Sequence, residues 1–125
     1  MANTIDKTFS FDVNTAEGIF NKKFILDKNI VMVRGLLLSS NDPKLLFFRG
    51  SQRIEINGEE LFPENYESKI LMAGLSVAPN DKFRTLGAGI MAGNGEIKIA
   101  YKDSNHNEAA FSPYKVNLIL QCEIK

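Results

Sequence analysis

Between Tyr114 and Ile124 every second position is apolar: Tyr114, Val116, Leu118, Leu120, Cys122 and Ile124 alternate with Lys115, Asn117, Gln121 and Glu123, and Ile119 is the one exception. Successive side chains leave a β-strand on opposite sides, so this period of two describes a strand with one face in a core and one in water. A helix carrying the same residues would scatter its apolar groups around its whole circumference. The closing segment therefore commits the chain to a sheet, and the rest of the sequence is read against that requirement.

Residues 5–13 repeat the pattern, with Ile5, Phe9, Phe11 and Val13 on one parity, interrupted by Lys7. Asn14, Thr15, Glu17 and Gly18 mark a turn, and residues 19–26 form a second strand with Phe20, Phe24, Ile25 and Leu26 among lysines. After a turn at Asp27-Lys28-Asn29, residues 30–38 are nearly continuously apolar, as in a strand covered on both faces or packed against a partner, and Gly35 within them predicts a bulge or a close backbone approach. Residues 39–43, Ser-Ser-Asn-Asp-Pro, are turn formers throughout. Residues 45–48 read as a short strand ending at Arg49-Gly50.

Ile54-Glu55-Ile56, then Asn57-Gly58, then Glu59-Glu60-Leu61-Phe62 predicts a hairpin, because Asn and Gly accept the positive φ angles of a type I′ turn. Pro63 is expected to end its second strand. Residues 66–75 fit two patterns, a helical stripe of Tyr66, Ile70 and Ala73 or an alternation of Tyr66, Ser68, Ile70 and Met72; with Glu67 and Lys69 on the opposite face the strand is preferred, followed by Ala78-Pro79-Asn80-Asp81 as a turn and residues 83–86 as a further strand. Gly87, Gly89, Gly93 and Gly95 predict a tightly turning loop over 87–95, closed at Asn94-Gly95 by a second hairpin. Ile97, Ile99 and Tyr101 alternate with Glu96, Lys98 and Lys102 as a strand, and residues 103–108 form a polar tip. About eight short strands, spaced as in sandwiches and barrels, predict one all-β domain over residues 1–125. The expected architecture is an antiparallel β-sandwich wound in a jelly-roll-like way, since the strands are joined by long connections.

A chain of 125 residues buries enough surface to fold without disulfides or metal, and its single Cys122 allows no internal disulfide. Fifteen Lys and Arg balance fifteen Asp and Glu, so no concentrated positive field is available for a polyanion, and nucleic acid is not an expected partner. Residues 1–7 mix Asn, Thr, Asp and Lys without an apolar run behind them, so no signal peptide is expected. The longest apolar runs, 30–33 and 45–48, fall far short of the ~20 residues that span a bilayer, which predicts no transmembrane segment. A lone thiol fits a reducing compartment.

The residues that carry chemistry elsewhere lack the required arrangement here. His106 is the only histidine and sits in Asp103-Ser104-Asn105-His106-Asn107-Glu108, where groups so close on one loop tip cannot form a chained triad; it is expected to face solvent. Asp103, Asn105 and Asn107 have calcium-loop spacing, but Glu108 stands where the loop needs Gly and Tyr114 where it needs Glu. One His and one Cys do not make a zinc site, and Cys122 falls on the apolar parity as a packed thiol. Glu59 and Glu60, adjacent on a strand, face opposite ways and cannot act as a glycosidase pair. The glycine-rich loop lacks the Lys-Ser or Lys-Thr of a phosphate cradle. No catalytic, cofactor-binding or metal-binding residue is assigned, no cofactor is expected, and the chain is expected not to be an enzyme.

One asymmetry remains. Glu55, Glu59, Glu60, Glu64 and Glu67 face Arg53 alone over 53–67, while Lys82, Arg84, Lys98 and Lys102 face Glu96 over 82–102. Stretches of this kind are read first as two solvated faces; as opposite patches they would let a neighbouring copy dock head to tail.

The stretch Phe48-Arg49-Gly50-Ser51-Gln52-Arg53-Ile54-Glu55-Ile56-Asn57-Gly58-Glu59-Glu60-Leu61-Phe62-Pro63, with Val77-Ala78-Pro79-Asn80 and the closing Pro113-Tyr114 strand, resembles small structural proteins of bacteriophage particles. In style the chain is similar to the single jelly-roll vertex or capsid-associated proteins of tailless phages. The resemblance implies a non-enzymatic virion component, assembled in the host cytoplasm. It would associate with itself, as a pentamer or trimer at a penton position, and with another capsid protein. A different class, a small ligand- or carbohydrate-binding β-sandwich, would expose Tyr66, Tyr101 or Tyr114 in a groove.

Overall fold

The computed structural model describes residues 3–72 and 83–124, with the side chains of 63–66, 70, 87 and 88 outside the description. In chain order the elements are β1 (Asn3–Val13), β2 (Ile19–Ile25), β3 (Ile30–Ser40), α1 (Pro43–Arg49), β4 (Gly50–Ile56), β5 (Glu59–Glu67), β6 (Arg84–Met91), β7 (Glu96–Asp103) and β8 (Tyr114–Ile124). The strands form two four-stranded sheets, ordered β1-β8-β3-β6 and β2-β7-β4-β5, and every pairing within them is antiparallel. Successive strands alternate between the sheets except at the β4–β5 hairpin. This all-β sandwich has the winding of a jelly roll, as the strand pattern predicts.

The alternation sets the core. Ile97, Ile99 and Tyr101 of β7, Ile54 and Ile56 of β4, and Val116, Leu118, Leu120 and Cys122 of β8 are all buried between the sheets. Phe9 of β1 stacks on Phe24 of β2 at 4.7 Å between ring centres, and Phe11 meets Tyr101 edge-on at 5.5 Å, so aromatic pairs tie one sheet to the other. Gly35 does sit at a break in register, between Val33 and Gly35, on both sides of β3.

Several local readings are corrected. Residues 45–48 lie in α1 rather than in a strand: Pro43 begins the helix, where its missing N–H costs nothing, and Leu45, Leu46 and Arg49 turn one helical face into the core. Four apolar residues fit either period, so burial decided between them. Pro63 does not end its strand, because β5 is the outermost strand of its sheet and its free side needs no N–H there. After Glu67 the chain enters a 3₁₀ turn at Ser68–Leu71 instead of continuing the strand predicted over 66–75, whose last residues, like the 78–81 turn, lie outside the described residues. Gly87 and Gly89 belong to β6, and Asn94-Gly95 joins β6 to β7 across the two sheets, so it is a crossing turn and not a hairpin. The Asn57-Gly58 hairpin forms as expected, with φ of 52° and 75°.

Candidate functional site

The winding gathers four connections at one end of the sandwich: residues 14–18, the segment carrying α1, the segment leaving β5, and residues 104–113. At this end a layer of polar side chains lies beneath the loops. Asp103, the last residue of β7, is fully buried, and Arg49, the last residue of α1, is only 2% exposed. The Arg49 Nε–H donates to Asp103 Oδ1 at 3.1 Å and Nη2–H to Oδ2 at 2.8 Å, a two-pronged pair. Tyr114 donates its hydroxyl to Oδ1 at 2.7 Å, and the backbone N–H of Glu17 donates to Oδ2 at 2.9 Å. Four donors thus fill the carboxylate's acceptor positions.

The Arg49 Nη1 donates to the carbonyl of Ala109 at 3.0 Å and to Asn105 Oδ1 at 3.4 Å, which fastens residues 104–113 onto the helix. Its guanidinium also lies 5.3 Å from the centre of the Phe111 ring. Tyr114 has spent its proton on Asp103, so Tyr101, 2.7 Å away, donates to the Tyr114 oxygen. Beneath them Ser68 donates to Gln52 Oε1, linking the 3₁₀ turn to β4. Among the described residues no buried side-chain nitrogen or oxygen lacks a partner.

Burial alone would raise the Asp103 pKa, but its bonds from Arg49, Tyr114 and Glu17 outweigh burial and hold it below the usual aspartate value. The bond to Asp103 raises the Arg49 pKa against the effect of burial. Burial pushes both Tyr101 and Tyr114 well above the ordinary tyrosine value, and for Tyr114 the neighbouring Tyr101 and Asp103 add to the rise. All four groups are thus held in one protonation state near neutrality. The arrangement fixes four chain segments together and leaves no member free to exchange a proton with a substrate.

A groove of about 420 Å³ opens beside this layer, walled by Phe47 and Phe48 of α1, Ser51, Lys102 and His106 among others. His106 does not stand free in solvent as expected: it is half-buried, 4.9 Å from the Phe48 ring, and its Nδ1 accepts the Glu108 N–H at 3.0 Å. Ser104 and Asp103 are not arranged with it as a triad, since the Asp103 carboxylate is taken up by Arg49, Tyr114 and Glu17. The same contacts remove Asp103 from any calcium loop with Asn105 and Asn107. Among the described residues no three His, Cys, Asp or Glu side chains cluster as a metal would require.

Tyr101 and Tyr114, offered as groove residues for a bound ligand, are instead core residues, because both fall on the inward parity of their strands. The Tyr66 side chain lies outside the described residues. Cys122 is buried as its parity predicts, and burial raises its pKa to about 11. The two charged stretches do not form opposite patches. Lys82 lies outside the described residues and Arg84 begins β6 of the other sheet, while the remaining charges meet on neighbouring strands of one sheet, where Glu55 faces Lys98 in register, Arg53 pairs with both Glu55 and Glu60, and Glu96 pairs with Lys23 and Lys98. Among the described residues, charges paired across neighbouring strands in this way weaken the field that would steer a head-to-tail neighbour.

The Arg49–Asp103 pair was missed in the sequence, yet a signal for it was present. Asp103 continues the inward parity of Ile97, Ile99 and Tyr101, and Gln52 continues that of Ile54 and Ile56. A polar residue on an apolar parity at a strand end announces a buried partner.

No protein-family model matches the chain, and neither a curated protein nor a solved structure matches it.

Proposed function

We propose that the chain is a non-enzymatic structural component of a virus particle, which associates with itself and docks on a major capsid protein as a vertex or capsid-associated subunit. The observation that carries this reading is the winding itself: two sheets in the orders β1-β8-β3-β6 and β2-β7-β4-β5, with a single hairpin, β4–β5, between strands of one sheet. Jelly rolls of this kind serve as shell-building units, and also as lectin and cupin domains. The polar groups at the loop end support the shell reading against the other two, because Arg49, Asp103 and Tyr114 direct their hydrogen bonds to one another and to the loops, even where Arg49 borders the groove. What the sandwich offers to a partner is backbone: each sheet ends in strands with a free side.

The ligand-binding alternative loses Tyr101 and Tyr114 to the core. It would require a saturable thermal shift with a small molecule or sugar.

Co-expression with the major coat protein of the same genome, followed by sedimentation, tests the proposal. The chain is expected to travel with assembled shells in fixed proportion. Finding it only in the slow fraction while the shells form without it would contradict the reading.

A further inference from the structure

The two sheets end in four outer strands, β1 and β6 in one and β2 and β5 in the other. An outer strand with a row of unpaired backbone groups invites another chain, and folded proteins ordinarily blunt such edges with lysines, proline or a bulge. β2 carries exposed Lys22 and Lys23. β5 carries Pro63 together with exposed Glu59, Glu60 and Glu67. The register of β6 against β3 breaks between Val33 and Gly35, and Gly89 takes a φ of +103°. β1 lacks the proline and the bulge and carries three charges, Asp6, Lys7 and Asp12: its eleven residues pair one for one with β8 without a shift, and include neither Gly nor Pro. Its single lysine, Lys7, lies on the inward parity and is held by Asp27 at 2.9 Å. The side chains on its outer parity, Thr4, Asp6, Thr8, Ser10 and Asp12, are all exposed.

We propose that β1 is the self-association edge of this protein, and that the β1 strand of a second copy adds to it antiparallel, with Thr8 facing Thr8 on the two-fold axis. The choice of occupant and register follows from the residues. Antiparallel strands place directly opposed side chains on the same face of the sheet, so inward positions must meet inward ones. With Thr8 on the axis all of Asn3–Val13 is paired: Asp6 faces Ser10, Asp12 faces Thr4, Ile5 faces Phe11 and Lys7 faces Phe9. Each carboxylate then stands opposite a hydroxyl that can donate to it, and no like charges oppose.

The neighbouring registers fail. Centring on Lys7 sets Lys7 against Lys7, centring on Asp6 sets Asp6 against Asp6, and centring on Phe9 sets Asp6 against Asp12. Centring on Ser10 avoids like charges but leaves Asn3, Thr4, Ile5 and Asp6 unpaired. The strand is thus complementary to itself in one full-length register, the property an isologous contact requires. Pairing would join two four-stranded sheets into one continuous sheet across the copies. The inference deepens the self-association in the proposed function and rests on that part of it alone, since the edge argument makes no use of a particle.

The test uses the full chain in solution. Light scattering over a concentration series is expected to show a shift from one chain to two, and Thr8→Lys, which places two lysines on the axis, is expected to weaken it by about tenfold or more. Circular dichroism and melting of Thr8→Lys should match the wild type, because Thr8 is exposed. Thr8→Cys is expected to give a covalent dimer on mild oxidation with diamide, whereas Lys23→Cys on the guarded β2 edge should not; Cys122 is buried and does not compete. A monomer at every concentration overturns the inference, as does an oligomer indifferent to Thr8→Lys or a Lys23→Cys dimer formed as readily as the Thr8→Cys one. A trimer or pentamer indifferent to Thr8→Lys would overturn this edge and leave the shell reading standing. A β1 dimer absent from particles would do the reverse.

Discussion

Arg49 and Asp103 are fifty-four positions apart, yet the guanidinium of one closes on the carboxylate of the other with two hydrogen bonds in the interior of the protein. Because Arg49 ends α1 and Asp103 ends β7, the pair closes the loop end of the sandwich. Removing one partner leaves an uncompensated buried charge, so Arg49→Met or Asp103→Asn is expected to cost about 3–5 kcal/mol in urea unfolding. The double variant Arg49→Met, Asp103→Leu should recover much of that loss, since two apolar residues leave no charge stranded. Equal and additive losses would show that the two residues act separately.

The same layer makes stability depend on pH at both extremes. The Asp103 pKa is lowered in the folded state, so its contribution is complete above the unfolded value of about 3.9 and is lost as pH falls below it toward the folded value. Tyr101 and Tyr114 are raised, so their contribution is complete below about 10 and is lost as pH rises, when unfolded tyrosines ionise and the buried ones do not. Thermal melts are expected to show a plateau near neutrality with a fall on each side. Tyr114→Phe should flatten the alkaline limb at some cost in stability at neutral pH, because Asp103 loses a donor.

Cys122 is fully buried with its thiol pKa raised to about 11. A thiol reagent at pH 8 is therefore expected to react at the rate of unfolding and to completion in denaturant. Prompt labelling of the folded protein would contradict the packing of β8.

Two glycines are needed for different reasons, and alanine substitutions separate them. A Cβ at Gly50 would collide with the hydroxyls of Tyr101 and Ser68 and lie 2.9 Å from the Leu46 carbonyl, although the backbone there is ordinary extended chain. Gly50→Ala is expected to lower stability by about 1–3 kcal/mol through overpacking. A Cβ at Gly58 meets nothing within 4 Å, so Gly58→Ala carries only the strain of φ +75°, about 1–2 kcal/mol.

The sandwich was legible because its inner strands obey a period of two: Ile97, Ile99 and Tyr101, or Val116 to Cys122, can satisfy their burial only as strands. The Asn57-Gly58 turn was legible because few residues tolerate its backbone angles. What local pattern could not supply was tertiary context. Leu45 and Leu46 become helical because α1 has a core to cover, and Pro63 sits inside β5 because that strand is an edge. The loop-end layer was hidden for a related reason: Asp103 looks like the first residue of a polar tip until the parity of β7 is carried one step further, and Arg49 looks like the end of a short strand until 45–49 is seen as a helix.

The most direct test of the shell reading is to purify intact particles from the source of this sequence on a density gradient and probe the fractions with an antibody raised against the chain. The account predicts the chain in the particle band, in fixed ratio to the coat protein and retained after a high-salt wash that strips adventitious protein. Its absence from that band, with the chain recovered only among free proteins, would contradict the account.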